Sequence, residues 1–145
     1  MSVEKIDRKI SVIFATDVVD YSLHMEKDES GTVTSLRKYE KILKEAFKKH
    51  GGRLFNTGGD SFMAEFSSAV KAVECAIDFQ NIAKEKSIKP ALSFRIGINA
   101  GDVIQEKKNL LGDGVNVAAR LEQLSQTNGI TISKSIFDYI EGKLD

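Results

Sequence analysis

The chain has 145 residues, 41% of them hydrophobic, which is enough for one domain with a buried core across residues 1–145. Its 21 basic and 21 acidic side chains cancel to a net charge of zero, which argues against a nucleic-acid or membrane-surface binder with its basic face. Cys75 is the sole cysteine, so no intrachain disulfide forms; no apolar run is long enough to span a bilayer, and Met1-Ser2-Val3-Glu4-Lys5 lacks a signal-peptide pattern, so the expected location is the cytoplasm.

In chain order, Ile10-Ser11-Val12-Ile13-Phe14-Ala15 reads as a strand, followed by Thr16-Asp17-Val18-Val19-Asp20 and a short helical turn over Tyr21 to Lys27. A helix is expected from about Ser30 to His50, with Val33, Leu36, Ile42, Leu43, Ala46 and Phe47 as its apolar stripe and Gly51-Gly52 as its end. Arg53 to Thr57 and Asp60 to Phe66 are strand-like, and Gly58-Gly59 between them has the composition of a tight hairpin turn. Ser67 or Ser68 caps the next helix, which runs to about Lys86 with Val70, Val73, Ala76, Ile77 and Ala83 inward. Pro90 marks a loop; Leu92, Phe94, Ile96 and Ile98 then alternate in a strand that Val103-Ile104 continues. A helix starts near Gly114, Ile130-Thr131-Ile132 is a short strand, and a last helix covers about Lys134 to Glu141. The order strand–helix–strand–strand–helix–strand predicts an α+β fold, a ferredoxin-like α/β sandwich whose helices cover one face of a mainly antiparallel sheet.

Three features carry chemistry. In Gly112-Asp113-Gly114-Val115-Asn116-Val117-Ala118-Ala119-Arg120, the four-residue spacing puts the Asn116 amide and the Arg120 guanidinium on one helix face, beside a helix start suited to a phosphorylated ligand. Spacing alone better fits a surface helix with a solvated arginine. Asp17 ends the first strand, and a hairpin laid beside that strand brings Asp60 close to it; two converging carboxylates suit a hard divalent cation such as magnesium. Taken singly, Asp17 fits a turn cap and Asp60 a hairpin-turn residue. His50 suits a helix C-terminus and His24 a short turn, and neither is paired for proton chemistry.

Phe14 to Ser22, His50 to Arg53, Thr57 to Asp60, Arg95 to Val103 and Gly112 to Glu122 together resemble the class III nucleotidyl cyclases, the adenylate and guanylate cyclase family, in its bacterial branch. The likeness runs from about Lys9 to the last residue, with the motifs in the family's order. It implies cyclisation of a purine nucleoside triphosphate to the 3′,5′-cyclic monophosphate with release of pyrophosphate. Asp17, Asp60 and the Val18 carbonyl would hold two Mg2+ or Mn2+ ions, Arg120 would stabilise the transferring phosphoryl group and Asn116 would position the ribose. The last two come from the opposite protomer in this family, so a homodimer with shared sites is implied. No nucleic-acid partner and no membrane segment of this chain are. Asn56 and Asn109 stand at the base-reading positions; ATP is favoured over GTP on the surrounding sequence, an amide being able to match either purine edge.

The chain departs from the family pattern in three respects, the first being Asn56 and Asn109, where adenylate-forming members usually carry Lys and Asp or Thr and guanylate-forming members Glu and a small residue. Asp20 replaces the usual Gly after the first aspartate, and Ser61 follows Asp60 where a Gly is common. The family's catalytic domain also continues past the last helix with a further strand pair that residues 1–145 lack, which implies a domain truncated at its C-terminus. The alternatives are a degenerate cyclase domain that binds nucleotide or only dimerises, and a GGDEF-type diguanylate cyclase, whose signature turn Gly58-Gly59-Asp60-Ser61-Phe62 resembles with Ser61 at the Glu position.

Overall fold

Apolar alternation builds a long first strand. In the computed structural model, which describes residues 6–144, β1 (Asp7–Val18) outruns the expected Ile10 to Ala15 because β4 (Phe94–Glu106) pairs antiparallel along its whole length, from Asp7 opposite Gln105 to Val18 opposite Phe94. The reading of Met1-Ser2-Val3-Glu4-Lys5 lies outside the described residues. Between these strands come α1 (Tyr21–Lys27), α2 (Glu29–His50), the hairpin β2 (Arg53–Gly58) and β3 (Ser61–Phe66), and α3 (Ala69–Glu85). After them come β5 (Asn109–Leu111), α4 (Asp113–Leu124), β6 (Ile130–Ile132) and α5 (Lys134–Ile140). The sheet order is β2-β3-β1-β4-β5, with β6 alongside β4 in parallel at Ile96 to Ile98. No helix among the described residues is long and apolar enough to cross a membrane.

Alternate residues of β1 feed two cores. Val12, Phe14 and Val18 join Phe62, Ala64 and Phe66 of β3 under α2, α3 and Ile136 of α5. Phe14 sits edge-on to Phe47 at 5.1 Å between centroids, a geometry aromatic pairs favour. Ile13 and Ala15 face the other way, where Val103, Leu110, Val115 and Ala118 enclose them. The layered α+β plan is therefore as expected, with one correction: the helices do not all lie on one face, because α4 covers this second core.

Smaller differences have packing causes. On α2 the buried stripe is Thr32, Ser35, Leu36, Tyr39, Leu43, Ala46 and Phe47, so Val33 and Ile42 sit at its margin. On α3, Ala69, Ala72, Cys75 and Ala76 bring the helix close and Phe79 fills the core, leaving the expected Ile77 44% exposed. Burial pushes the Cys75 thiol up to about 12, so it packs and does not react. His50 meets Asp78 of α3 at 3.1 Å and ties the end of α2 down. The hairpin is shifted by one residue: Gly59 and Asp60 occupy the turn, and Gly59 supplies its positive φ of 68°. Strand β5 was not anticipated.

The contact of α4 with β4 depends on missing side chains. A Cβ on Gly97 would stand 2.3 Å from the Glu122 nitrogen and 2.5 Å from the Ala118 oxygen, both backbone atoms. One on Gly114 would stand 2.7 Å from the Asp102 oxygen. Between them Asn99 Nδ2 donates to the Gly114 carbonyl at 3.0 Å, with Asn99 buried. Replacing Gly97→Ala should therefore displace α4 and cost about 1–3 kcal/mol, the range for overpacked cores. Urea denaturation should show a lowered midpoint, and an unchanged midpoint would refute this tight approach.

Candidate active site

The antiparallel register sets Asp17 opposite Arg95 on the face that α4 covers. Arg95 Nη2 and Nε donate to the two Asp17 carboxylate oxygens at 2.8 and 3.1 Å, a bidentate pair. Gln123, at the end of α4, adds a 3.3 Å bond from Nε2 to Asp17 Oδ2. Glu122 lies beneath them, 5% exposed, with Oε1 3.5 Å from Arg95 Nη2 and 2.9 Å from Gln123 Nε2. Burial, then the hydrogen bond to Asp17 and that residue's charge, push its carboxyl up to about 8. Its surroundings therefore favour the protonated form of Glu122 beside Asp17.

Asp60 reaches the same place from the β2–β3 turn. Burial is the largest influence on its carboxyl and pushes it up, and the Asp17 charge adds to that. The amides of Asp60 itself and of Val18 hydrogen-bond it and pull the other way, without reversing the shift. Asp60 is thereby brought within electrostatic reach of Asp17 and against the Val18 backbone. Asp20, between β1 and α1, is exposed and holds left-handed backbone geometry (φ 55°, ψ 38°), which a glycine adopts at no steric cost. Its charge is felt by Arg95.

Asn116 and Arg120 do not join this cluster. Val115, Ala118 and Glu122 take the sheet-facing side of α4, so the other two point outward; the Arg120 side chain is 68% exposed and its nearest acid is Asp113, at 4.0 Å. Among the described residues, no hydrogen bond or ion pair joins either to Asp17 or Asp60. On β2 a bulge at Phe55 puts Asn56 opposite Met63, so Phe55 and Asn56 share the α4 face with Met63. Asn109 opens β5, where its Oδ1 accepts from the Leu110 amide at 2.9 Å. β2 and β5 end the strand order at opposite edges, yet they touch, which brings the strands of Asn56 and Asn109 together.

Arg95, Glu122 and Gln123 were missed as site residues. The signal for Arg95 was the strand register, and for Glu122 its two-residue offset from Arg120, which turns it to the opposite side of the helix. The donor chemistry suits a divalent cation. Two acidic side chains and a backbone carbonyl are hard oxygen ligands; the Asp60 carboxyl is raised mainly by burial and further by the Asp17 charge, which Arg95 offsets in part. Among the described residues no group of three or more His, Cys, Asp or Glu is placed to hold an ion by itself. A phosphorylated ligand or water would have to complete the coordination. A cavity of about 730 Å³ opens elsewhere, between Lys9, Ser11, Ala69 and Tyr139.

Comparison with known proteins gives one answer. The family model described as "Adenylate and Guanylate cyclase catalytic domain" matches residues 2–144. A Rhizobium meliloti protein named "Putative adenylate cyclase 3" is 41% identical over the whole of this chain, which spans 26% of that relative's length. Among solved structures, an adenylate/guanylate cyclase/hydrolase from Silicibacter pomeroyi is 31% identical with a TM-score of 0.87, covering 97% of this chain and 85% of the other. The guanylate cyclase domain of RhGC from Catenaria anguillulae, solved in complex with GTP, is 25% identical with a TM-score of 0.85 over 96% of this chain and 86% of the other. The match over nearly the whole chain leaves the GGDEF-like turn as a local likeness. With strand ends that gather Asp17 and Asp60 and a helix that carries Asn116 and Arg120, this chain belongs to the adenylate and guanylate cyclase catalytic domain family.

Proposed function

We propose that the chain converts a purine nucleoside triphosphate, ATP in preference to GTP, to its 3′,5′-cyclic monophosphate and pyrophosphate, at sites shared between two copies. The observation that carries this reading is a division of the candidate groups. The acidic set Asp17 and Asp60 gathers at the strand ends, while Asn116 and Arg120 project from the far side of α4, available to a second copy. The adenylate cyclase name of the Rhizobium meliloti relative supports the base preference. The ribose 3′-oxygen bonds to the α-phosphorus as the bond to the bridging oxygen of the leaving pyrophosphate breaks, and the hydroxyl proton leaves to solvent.

Asp17, Asp60 and the Val18 carbonyl are the residues that would hold two magnesium or manganese ions. When bound, these ions lower the pKa of the attacking hydroxyl and neutralise the triphosphate. The chain's own groups do the rest. Arg95 and Gln123 fix the Asp17 carboxylate in one orientation before any ligand arrives. Arg120 of the second copy offers its planar fork of donors to the equatorial phosphoryl oxygens. Asn116 beside it hydrogen-bonds the ribose and holds the hydroxyl in line. No protein nucleophile is needed.

Three outcomes test this. Cyclic nucleotide and pyrophosphate should form from ATP faster than from GTP in magnesium or manganese. Asp17→Ala or Arg120→Ala alone should lower turnover by about 10²-fold or more, as loss of preorganised charge stabilisation does elsewhere. Product from a demonstrated monomer, or full activity of Asp17→Ala, would defeat the reading.

Mixing the two inactive variants should restore about a quarter of wild-type activity. Random pairing in a two-fold dimer makes half the dimers mixed, and each of those has one complete site of two. No recovery from a mixture shown to exchange subunits would defeat the shared site.

Glu122 gives a third check in metal-free buffer. Its folded pKa, about 8, lies above the ordinary carboxylate value of 4.5, so its contribution to stability is full below that value and is lost as pH rises through about 8. Glu122→Gln should flatten the fall of the melting temperature across that window. An unaltered slope would contradict a protonated Glu122.

A further inference from the structure

The two edges of the sheet are joined by one side chain. Arg53 of β2 donates from Nε to Glu65 Oε1 at 2.6 Å and from Nη1 to the Lys108 carbonyl at 2.8 Å. Glu65 of β3 also accepts from Lys9 Nζ at 3.1 Å and Ser11 Oγ at 3.3 Å, both on β1. Three adjacent strands are thus anchored to one carboxylate, and Arg53 extends that anchor across the sheet face to the β4–β5 turn. That turn is held by Lys107 in left-handed geometry at φ 57°. The residues at each end matter: Lys108 immediately precedes Asn109, and Arg53 stands three positions before Asn56 across the bulge.

We propose that the Arg53–Glu65–Lys108 latch sets the separation of Asn56 and Asn109, making Arg53 a positioning residue for discrimination between purine bases. The inference rests on the reading above that those two asparagines meet the base. An amide reads a purine edge only when its donor and acceptor fall within hydrogen-bond reach of the matching base atoms. A shift of about 1 Å at either residue removes that match. The β5 edge is only three residues long and pairs solely with β4 at Ile104 to Glu106, so its own ladder restrains it weakly. Burial pushes the Glu65 carboxyl up, but the bonds and charges of Arg53 and Lys9 outweigh this and hold it below the usual carboxylate range. The anchor therefore stays charged under working conditions.

Arginine is needed because one planar fork makes both contacts; a lysine ammonium at position 53 keeps the charge beside Glu65 and loses the reach to Lys108. The test measures wild type, Arg53→Lys and Glu65→Gln in two ways. One is kcat/KM for ATP and GTP. The other is calorimetric binding of 3′-deoxy-ATP and 3′-deoxy-GTP, which lack the attacking hydroxyl and cannot cyclise.

The expected result is a wild type that prefers one base and an Arg53→Lys preference that shrinks by about tenfold in both measurements. Its melting temperature should stay near that of wild type. Glu65→Gln, which retains an acceptor of the same shape, should shift the ratio in the same direction by less, and serves if Arg53→Lys fails to fold. A merely structural role would lower both nucleotides in proportion. Such a parallel loss, an unchanged ratio, or a wild type that binds both deoxynucleotides equally or neither overturns the latch. A wild type that cyclises neither nucleotide overturns the proposed reaction instead, and the binding ratio still decides the latch.

Discussion

The close approach of α4 to the backbone of β4 at Gly97 and Gly114 is the constraint from which the rest of the site follows. A helix seated that low has no freedom to roll. One side, carrying Val115, Ala118 and Glu122, is pressed into the sheet. The opposite side, carrying Asn116 and Arg120, is therefore fixed in direction as well, and among the described residues Arg120 forms an ion pair only with Asp113, at 4.0 Å. Asn99 reinforces the seat by donating from a buried position to the Gly114 carbonyl. Rigidity of the outward groups is thus obtained from the inward ones. That is how a surface arginine can be preorganised without partners of its own.

Charge at the strand ends is arranged in the same spirit. Asp17, Asp60 and Glu122 are three acidic side chains in a small space, with Arg95 as the counter-charge. Full ionisation of all three would be costly under partial burial. The strain is relieved by keeping Glu122 protonated and by turning Arg95 onto Asp17. Asp60, half-buried, forms no ion pair among the described residues, and on the reaction proposed above a cation would meet an Asp17 carboxylate already oriented by Arg95.

Much of this was legible in the residues. Alternation located every long strand, glycine and serine marked the helix ends, and the Gly112 to Arg120 run announced α4 within a residue. Asp17 and Asp60 could be paired because a hairpin beside β1 has few ways to lie. What escaped detection needed knowledge of contact rather than pattern. Ile77 reads as an inner residue by periodicity, yet small alanines beside it let α3 sit where it is left outside. Strand β5 is too short to carry a period. Glu122 looks like an ordinary helix-surface acid until Gly97 is known to lie beneath it. The placement of α4 on the second face follows from two sets of apolar residues on β1, which alternation shows but does not allot to particular helices. Asp20 is a different case: its left-handed backbone explains why glycine suits that position, and nothing in the structure explains the aspartate.

The isolation of Asn116 and Arg120 has an evolutionary consequence. Neither side chain contributes to the core, caps an element or satisfies a buried group, so exchanging either leaves folding free energy nearly untouched. Cellular quality control discriminates on stability and would pass such a chain unchanged. On the reaction proposed above, a gene copy encoding this domain would therefore drift from catalyst to silent scaffold in a single step, still abundant and still folded, with no thermodynamic trace of the loss.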